Sequence, residues 1–451
     1  PIFLESIGYK TEKTENISYN ILLENNIKQQ FKKTLNLEKL SYSDPYWLQT
    51  EGSLGMYNVN KRTLIGKPET PRKAVVFFNL LIDATQLTIK KNIIHRYSKR
   101  DQGELYDPFE IVPLVTTKLN DKVLLFSDAN EQTVNVGVRS GTNNIKGKLF
   151  LDVPEKWKVS PTFIEIEIKQ KGDTQTYPFK ITPTINDSEG VIKASVLVDG
   201  KKFDKELIEI KYDHIPKQTV LKKSEAKAVR INIKKVGNFI GYIKGAGDLV
   251  PESLKQIGYS VVMINPEEIT TEHLKKYDAI VLGIRAYNTI PILKYKQKFL
   301  LEYVKNGGNM VVQYNTSRRV DVAAPFKLNL SRDRVTDENA KVEILEKNHA
   351  VMNFPNKISE QDFNGWVQER GLYFPNSWSS EYTPILSMND KGEKPKKGSL
   401  LIAKYGKGNY IYTGLSFFRE LPAGVSGAYK LFANILSIGK TNIQQQNQLE
   451  K

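Results

Sequence analysis

The stretch Phe239-Ile240-Gly241-Tyr242-Ile243-Lys244-Gly245-Ala246-Gly247-Asp248 decides the fold. Its first half has no polar alternation and reads as a strand buried on both faces. Its second half reads as a strand-to-helix turn. Pro251 to Ile257 then reads as a short helix with Pro in its first turn, stopped by Gly258. The pattern recurs downstream. Ser260 to Asn265 and Asp278 to Gly283 are strand-like, Leu293 to Asn306 is helical up to Gly307-Gly308, and Asn309 to Tyr314 is a fourth strand. Unalternating strands separated by helices predict a parallel sheet covered on both faces.

Working outward, 318–398 is expected to be irregular. Ser399 to Tyr405 and Gly408 to Gly414 read as a hairpin, Tyr429 to Leu436 as the last helix, and the tail from Thr441 as disordered. Upstream, 216–236 reads as a Lys-rich linker. Residues 111–215 carry about seven strand-like runs, with Asp199-Gly200 as a hairpin dipeptide, which is the immunoglobulin-like count. Residues 1–110 hold Ile17 to Leu23, Val75 to Ile82 and alternating runs after Leu87 and Ile93, and predict another β-sandwich. The expected fold is multidomain, β plus α/β: two β-sandwiches (1–110 and 111–215), the linker, and a flavodoxin-like doubly wound sheet over 237–440, with 441–451 as tail.

Composition narrows function by exclusion. The 451 residues include no Cys and four His, and 66 Lys+Arg against 50 Asp+Glu give a net charge of +16. Without Cys there are no disulfides, thiolate metal sites or Cys nucleophiles. His95, His214, His273 and His349 are isolated, with no second ligand at zinc spacing. No Gly-x-Ser-x-Gly is present. The charge fits an anionic partner or a Lys-rich solvated surface. The lysines are spread out and no basic run is interleaved with aromatics, which favours the surface and argues against nucleic acid. No apolar run approaches the ~18–20 residues of a membrane span. The start at Pro1, followed by Ile2-Phe3-Leu4, suggests a fragment of a longer precursor.

Three constellations are candidate sites, because open α/β sheets gather ligands at the carboxyl ends of their strands. Gly245-Ala246-Gly247-Asp248 could cradle an anion with backbone N–H groups, or be only a tight turn. Arg285, Tyr287 and Asn288 after the third strand, and Asn315, Ser317, Arg318 and Arg319 after the fourth, suit sugar hydroxyls or a carboxylate, or hold the 318–398 excursion in place. In Asp362 to Tyr373, Trp366 and Tyr373 could stack on a sugar while Gln368, Glu369 and Arg370 bond hydroxyls, or the segment is a structural lid with an internal ion pair. The ligand-pocket candidates are Asp248, Arg285, Asn288, Asn315, Trp366, Gln368, Glu369 and Arg370.

The order of several motifs resembles the C-terminal part of multidomain PIG-L/LmbE-family deacetylases. They are Asp44-Pro45-Tyr46-Trp47-Leu48, Leu64 to Glu69, Asp101 to Tyr106, Leu282-Gly283-Ile284-Arg285-Ala286-Tyr287-Asn288, Asp362 to Phe374 and Tyr405-Gly406-Lys407-Gly408. The resemblance implies a zinc-dependent N-deacetylase acting on N-acetylglucosaminyl-type substrates. Its His-Pro-Asp-Asp and His-x-x-His motifs have no match here, so zinc and the catalytic residues are expected in an upstream domain. Residues 111–215 resemble the immunoglobulin-like module of bacterial glycosidases, and 237–440 a class I glutamine amidotransferase-like domain. Glutaminase chemistry is excluded in this chain, because it needs a Cys nucleophile.

The reading is an accessory region of an exported carbohydrate-active deacetylase, with its upstream catalytic domain and a glycan as expected partners and no cofactor of its own. Its rivals are a hydrolase using Asp248, Asp362 or Glu369 as acid and base, and a purely structural scaffold.

Overall fold

The computed structural model describes residues 1–440 except 12, 38, 54 and 318–323. The chain is rich in β structure, divided among several sheets. Arg318, Arg319 and the tail from Thr441 lie outside the described residues.

The first unit is built on one four-stranded antiparallel sheet, and among the described residues no second sheet packs face to face on it as a sandwich would require. Its order is Thr14–Leu22, Ile2–Lys10, Val75–Ile82, Thr85–Asn92. A bulge between Leu4 and Ser6 resets the alternation, so Leu4 joins Ile7 and Tyr9 in one core. Phe31 and Leu35, from the segment after the second strand, pack against that core in place of a second sheet. The hairpin Ile94–Lys99/Gly103–Pro108 forms a separate two-stranded sheet. Period-2 alternation reports one buried face and is silent on what covers it, which is why a sandwich was expected.

The second unit is a β-sandwich. One sheet runs Ile164–Ile168, Ile145–Asp152, Ser188–Val198, Glu225–Arg230, Val123–Phe126, and the other runs Lys158–Ser160, Thr174–Thr182, Gln132–Ser140, Val115–Leu119. Val136, Val138, Leu149, Phe179, Ile181 and Val196 are fully buried between them. Asp199 and Gly200 have φ of 46° and 75°, as a two-residue hairpin turn requires.

The linker expected over 216–236 is corrected. Ile215–Lys223 pairs with Lys205–Tyr212 in a hairpin, and Glu225–Arg230 is a central strand of the first sandwich sheet. Ala226, Ala228 and Val229 are buried there, and the lysines around them hid a short apolar pattern made largely of alanine. Asp44 of the first unit accepts the Leu221 backbone N–H at 3.1 Å and ties the hairpin to that unit.

The third unit is built on a seven-stranded sheet. Its order is Ser260–Met263, Phe239–Ile243, Ala279–Leu282, Asn309–Gln313, Gly408–Thr413, Leu400–Tyr405, Tyr382–Pro384. The first five strands are parallel and the last two antiparallel. Successive side chains divide between two cores. Tyr242, Val281, Val311 and Ile411 face the helices Val250–Gln256 and Ser426–Ser437, while Ile243, Leu282, Val312 and Tyr412 face Leu293–Lys305. The 318–398 excursion is more regular than expected, since Leu328–Val335 pairs with Gly371–Trp378 across three register shifts. Leu125, Val229 and Ile231 share the core of the first face, so the sandwich and the α/β unit are packed together.

Candidate functional site

The carboxyl ends of the parallel strands carry the loops at 244–248, 283–288, 314–317 and 414–416, against which 366–373 folds back. Sheet topology places them together, as an open α/β sheet does with its ligand site.

The first loop fills its own anion cradle. The Asp248 carboxylate accepts from the Val250 N–H at 3.0 Å, the Ile284 N–H at 3.3 Å and the Tyr242 hydroxyl at 2.6 Å. A side-chain carboxylate therefore sits where an anion at the helix start would bind. Burial and the adjacent Asp248 charge push the Tyr242 hydroxyl far above the usual phenol range. Gly245 is required, because a Cβ there would lie 2.0 Å from the Ile284 carbonyl oxygen. Asp248 is thus a positioning residue rather than a ligand group.

Asn288 and Asn315 are likewise engaged with the fold. The Asn288 side chain donates to the Thr316 carbonyl at 3.2 Å and accepts the Thr316 N–H at 2.9 Å, clasping the two loops. Asn315 is fully buried, accepts the Tyr287 N–H at 3.0 Å and donates to the Gln313 carbonyl at 2.9 Å. Arg285 differs: its backbone N–H bonds the Tyr314 carbonyl at 2.8 Å, but its side chain is exposed. No salt bridge or side-chain hydrogen bond holds it among the described residues.

The 362–373 segment divides in the same way. Trp366 is 3% exposed, packs against Phe363 and Phe417, and donates its indole N–H to the Asp362 carbonyl at 3.1 Å. It is a core residue and cannot stack on a sugar. Arg370 is 4% exposed; it reaches the Ala340 carbonyl at 3.0 and 2.8 Å and also donates to the Phe363 carbonyl. Both belonged to the expected pocket, and both instead tie the excursion together. A dense polar and aromatic composition does not reveal which side chains are buried.

Glu369 and Gln368 meet Arg419, which the sequence reading missed. The Arg419 Nε donates to Glu369 at 3.0 Å and its Nη1 to the Gln368 side-chain oxygen. Glu420, also missed, is fully buried and accepts the Val367 N–H at 2.9 Å and the Ser416 hydroxyl at 3.2 Å. Burial pushes its carboxyl up to about 8, against these hydrogen bonds and the Arg370 and Arg419 charges. Phe417-Phe418-Arg419-Glu420 follows the fifth parallel strand, so the rule that singled out Arg285 and Asn315 would have found it if applied one strand further.

One cluster keeps exposed polar side chains at its rim, Arg285, Arg334 and Gln368, around an aromatic pair that is itself buried at Tyr314 and half-buried at Tyr373. Tyr314, at the end of the fourth parallel strand, stacks on Tyr373 at 5.9 Å between centroids and 13° between planes. Phe418 lies 5.3 Å from Tyr314, and the Arg334 guanidinium lies 5.8 Å from the Tyr373 ring centroid. Burial raises the Tyr314 hydroxyl pKa, and the Arg285 and Arg419 charges oppose the rise. Among the described non-glycine residues with positive φ, five are Asn or Asp, which adopt it readily, and one is Lys156 of the sandwich. The other three are Arg285, Gln368 and Tyr373, at 57°, 68° and 54°, and all adjoin this cluster. Left-handed backbone at long or bulky side chains is costly and concentrates at functional sites.

Acid–base chemistry finds no support in the three proposed carboxylates. Asp248 accepts the Val250 N–H at the start of a helix, Asp362 accepts the Ser359 N–H at 2.8 Å in a capping box, and Glu369 is paired with Arg419. Among the described residues no group of three His, Asp or Glu side chains is placed to hold a metal ion. His349 caps a helical turn by accepting the Val351 N–H at 3.1 Å, and His95 stacks on Tyr97.

Larger clefts lie elsewhere. One of about 1050 Å³ opens between the first unit and the sandwich, lined by Leu40, Tyr42, Phe109, Arg139 and Lys201 among others. Another of about 980 Å³ is lined by Tyr46, Trp47, Met56, Tyr57 and Ile65. Neither contains a residue of the strand-end cluster.

No family model matches the chain, and no curated protein matches it. Solved structures give weak likenesses. The exo-β-1,4-mannosidase Op5Man5 from Opitutaceae bacterium strain TAV5 is 10% identical at a TM-score of 0.28, over 45% of this chain and 35% of that one. The chain thus spans about a third of the mannosidase. WR4, a C. elegans MSP family member, is 9% identical at a TM-score of 0.16, over 26% of this chain and 97% of that one. A family 123 glycoside hydrolase from Clostridium perfringens is 8% identical at a TM-score of 0.16, over 46% of this chain and 39% of that one. None reaches a similarity at which a fold is shared.

Proposed function

We propose that the chain is a non-catalytic, glycan-binding region of an exported carbohydrate-active protein of the PIG-L/LmbE deacetylase type. The observation that carries the binding role is the convergence of Arg285, Gln368 and Tyr373, all left-handed, around the Tyr314–Tyr373 stack. Backbone strain at three such side chains is held in place by the surrounding fold and presents them at the strand ends. Five parallel strands with helices on both faces support a flavodoxin-like, amidotransferase-like reading of 237–440. The ordered motifs of the sequence support the wider assignment, in which an upstream zinc domain performs the hydrolysis.

A thermal-shift and glycan-array screen of this chain tests the binding role, using chitin fragments, peptidoglycan fragments and acidic oligosaccharides. A hit lost in Arg285→Ala and in Tyr373→Ala supports it. The scaffold reading is favoured by one set of facts: Asn288, Asn315, Trp366 and Arg370 all bond within the fold. A negative screen, with tight binding to a separately expressed upstream domain, would establish the scaffold instead.

A further inference from the structure

Three arginines border this aromatic cluster, Arg334 over Tyr373, Arg419 over Phe418 and Arg285 next to Tyr314 through its backbone, and their pairing is unequal. Arg419 is matched by Glu369 at 3.0 Å. The Arg334 guanidinium lies 5.8 Å from the Tyr373 ring centroid and Arg285 bonds the Tyr314 carbonyl through its backbone N–H at 2.8 Å, and neither has a carboxylate partner among the described residues. Both side chains are exposed. Glu420 offers no compensating charge, since it is fully buried and bonded to Val367 and Ser416. The neighbouring Arg370 is committed to the carbonyls of Ala340 and Phe363.

Two exposed arginines without a carboxylate partner among the described residues, one of them against the Tyr373 ring, favour an oxyanion carried on a ring-shaped body. Arginine binds carboxylate and sulfate oxygens through paired N–H donors and is weakly hydrated, so such contacts persist at a partly exposed surface. The exposed Gln368, held by Arg419, adds an amide donor for hydroxyls. Strain at Arg285 fixes where its side chain leaves the backbone, which pre-organises the contact.

We infer that the strand-end surface selects an acidic glycan, a pyranose chain bearing carboxylate or sulfate groups, through Arg285 and Arg334. The inference rests on the glycan-binding reading above and adds the substrate class. Binding is therefore salt-sensitive, as contacts between exposed charges are.

The test is calorimetric titration of the full chain with oligogalacturonides, sulfated galactan oligosaccharides and neutral chito-oligosaccharides of equal length. At least one acidic series should bind about tenfold or more tightly than the neutral one. The Arg285→Gln/Arg334→Gln double variant should lose that advantage while keeping its melting temperature. Which acidic series wins identifies the oxyanion. Equal binding of acidic and neutral series, or an acidic preference that survives the double variant, overturns the inference and leaves the glycan reading standing. No binding of any series overturns both.

Discussion

The rings of Tyr314 and Tyr373 lie 5.9 Å apart and nearly parallel, although one ends a central parallel strand and the other begins the returning arm of the excursion. That contact holds the excursion against the strand ends while Tyr373 keeps a φ of 54°. Left-handed backbone costs an L-residue about 1–2 kcal/mol, which glycine does not pay. Tyr373→Gly should therefore be less destabilising than Tyr373→Ala by about 1 kcal/mol, measured by chemical denaturation. The reverse order would show that the backbone there is unstrained.

Trp366 and Arg285 should separate folding from binding. Trp366→Ala removes a buried ring and should cost about 3–5 kcal/mol. Arg285→Ala removes an exposed side chain and should change stability by less than about 0.5 kcal/mol. Glycan affinity should respond in the opposite order once Trp366→Ala is assayed well below its melting point. A stable Trp366→Ala that fails to bind would place that indole back in the ligand site.

Glu420 should make the α/β unit sensitive to pH. Its carboxyl titrates at about 8 when folded, against a reference of 4.5. Between those values the folded state holds a proton that the unfolded state has released. Its contribution is full below pH 4.5 and is lost as pH rises through about 8, on the order of a few kcal/mol. Glu420→Gln keeps an acceptor for Val367 and removes the titration. Its stability relative to wild type should rise from pH 5 to pH 8.5, and that difference cancels the opposing titration of His349. A difference independent of pH would show that Glu420 is ionised throughout.

Domain dissection offers a further check. Val229 and Ile231 are 1% and 0% exposed because they pack into the α/β core. Each such side chain contributes roughly 1.5–3 kcal/mol. A fragment of 237–440 should melt well below one of 115–440, or aggregate through the uncovered patch. Equal melting temperatures would show that the two units fold independently.

The parallel strands were legible because a run such as Ala279-Ile280-Val281-Leu282, flanked by helices, has few other interpretations. Asp199-Gly200 was legible because two consecutive positive φ angles need such residues. The strand Glu225–Arg230 was not, because alanine carries little apolar signal amid lysines. The partition of the candidate site was also hidden. Arg285 and Arg370 look alike in sequence, but one is exposed and the other donates to a carbonyl thirty positions earlier. That distinction arises from tertiary packing, to which local pattern is blind. Arg419 and Glu420 escaped because the fifth parallel strand, Gly408–Thr413, read as one arm of a hairpin and not as a strand of the ligand-gathering set.

The most direct measurement is an NMR titration of side-chain Nε–Hε signals in arginine-labelled protein with a bound glycan series. Shifts concentrated at Arg285 and Arg334, with Arg370 unmoved, are the predicted result. Shifts confined to Arg139, which lines the cleft between the first unit and the sandwich, would contradict a strand-end site.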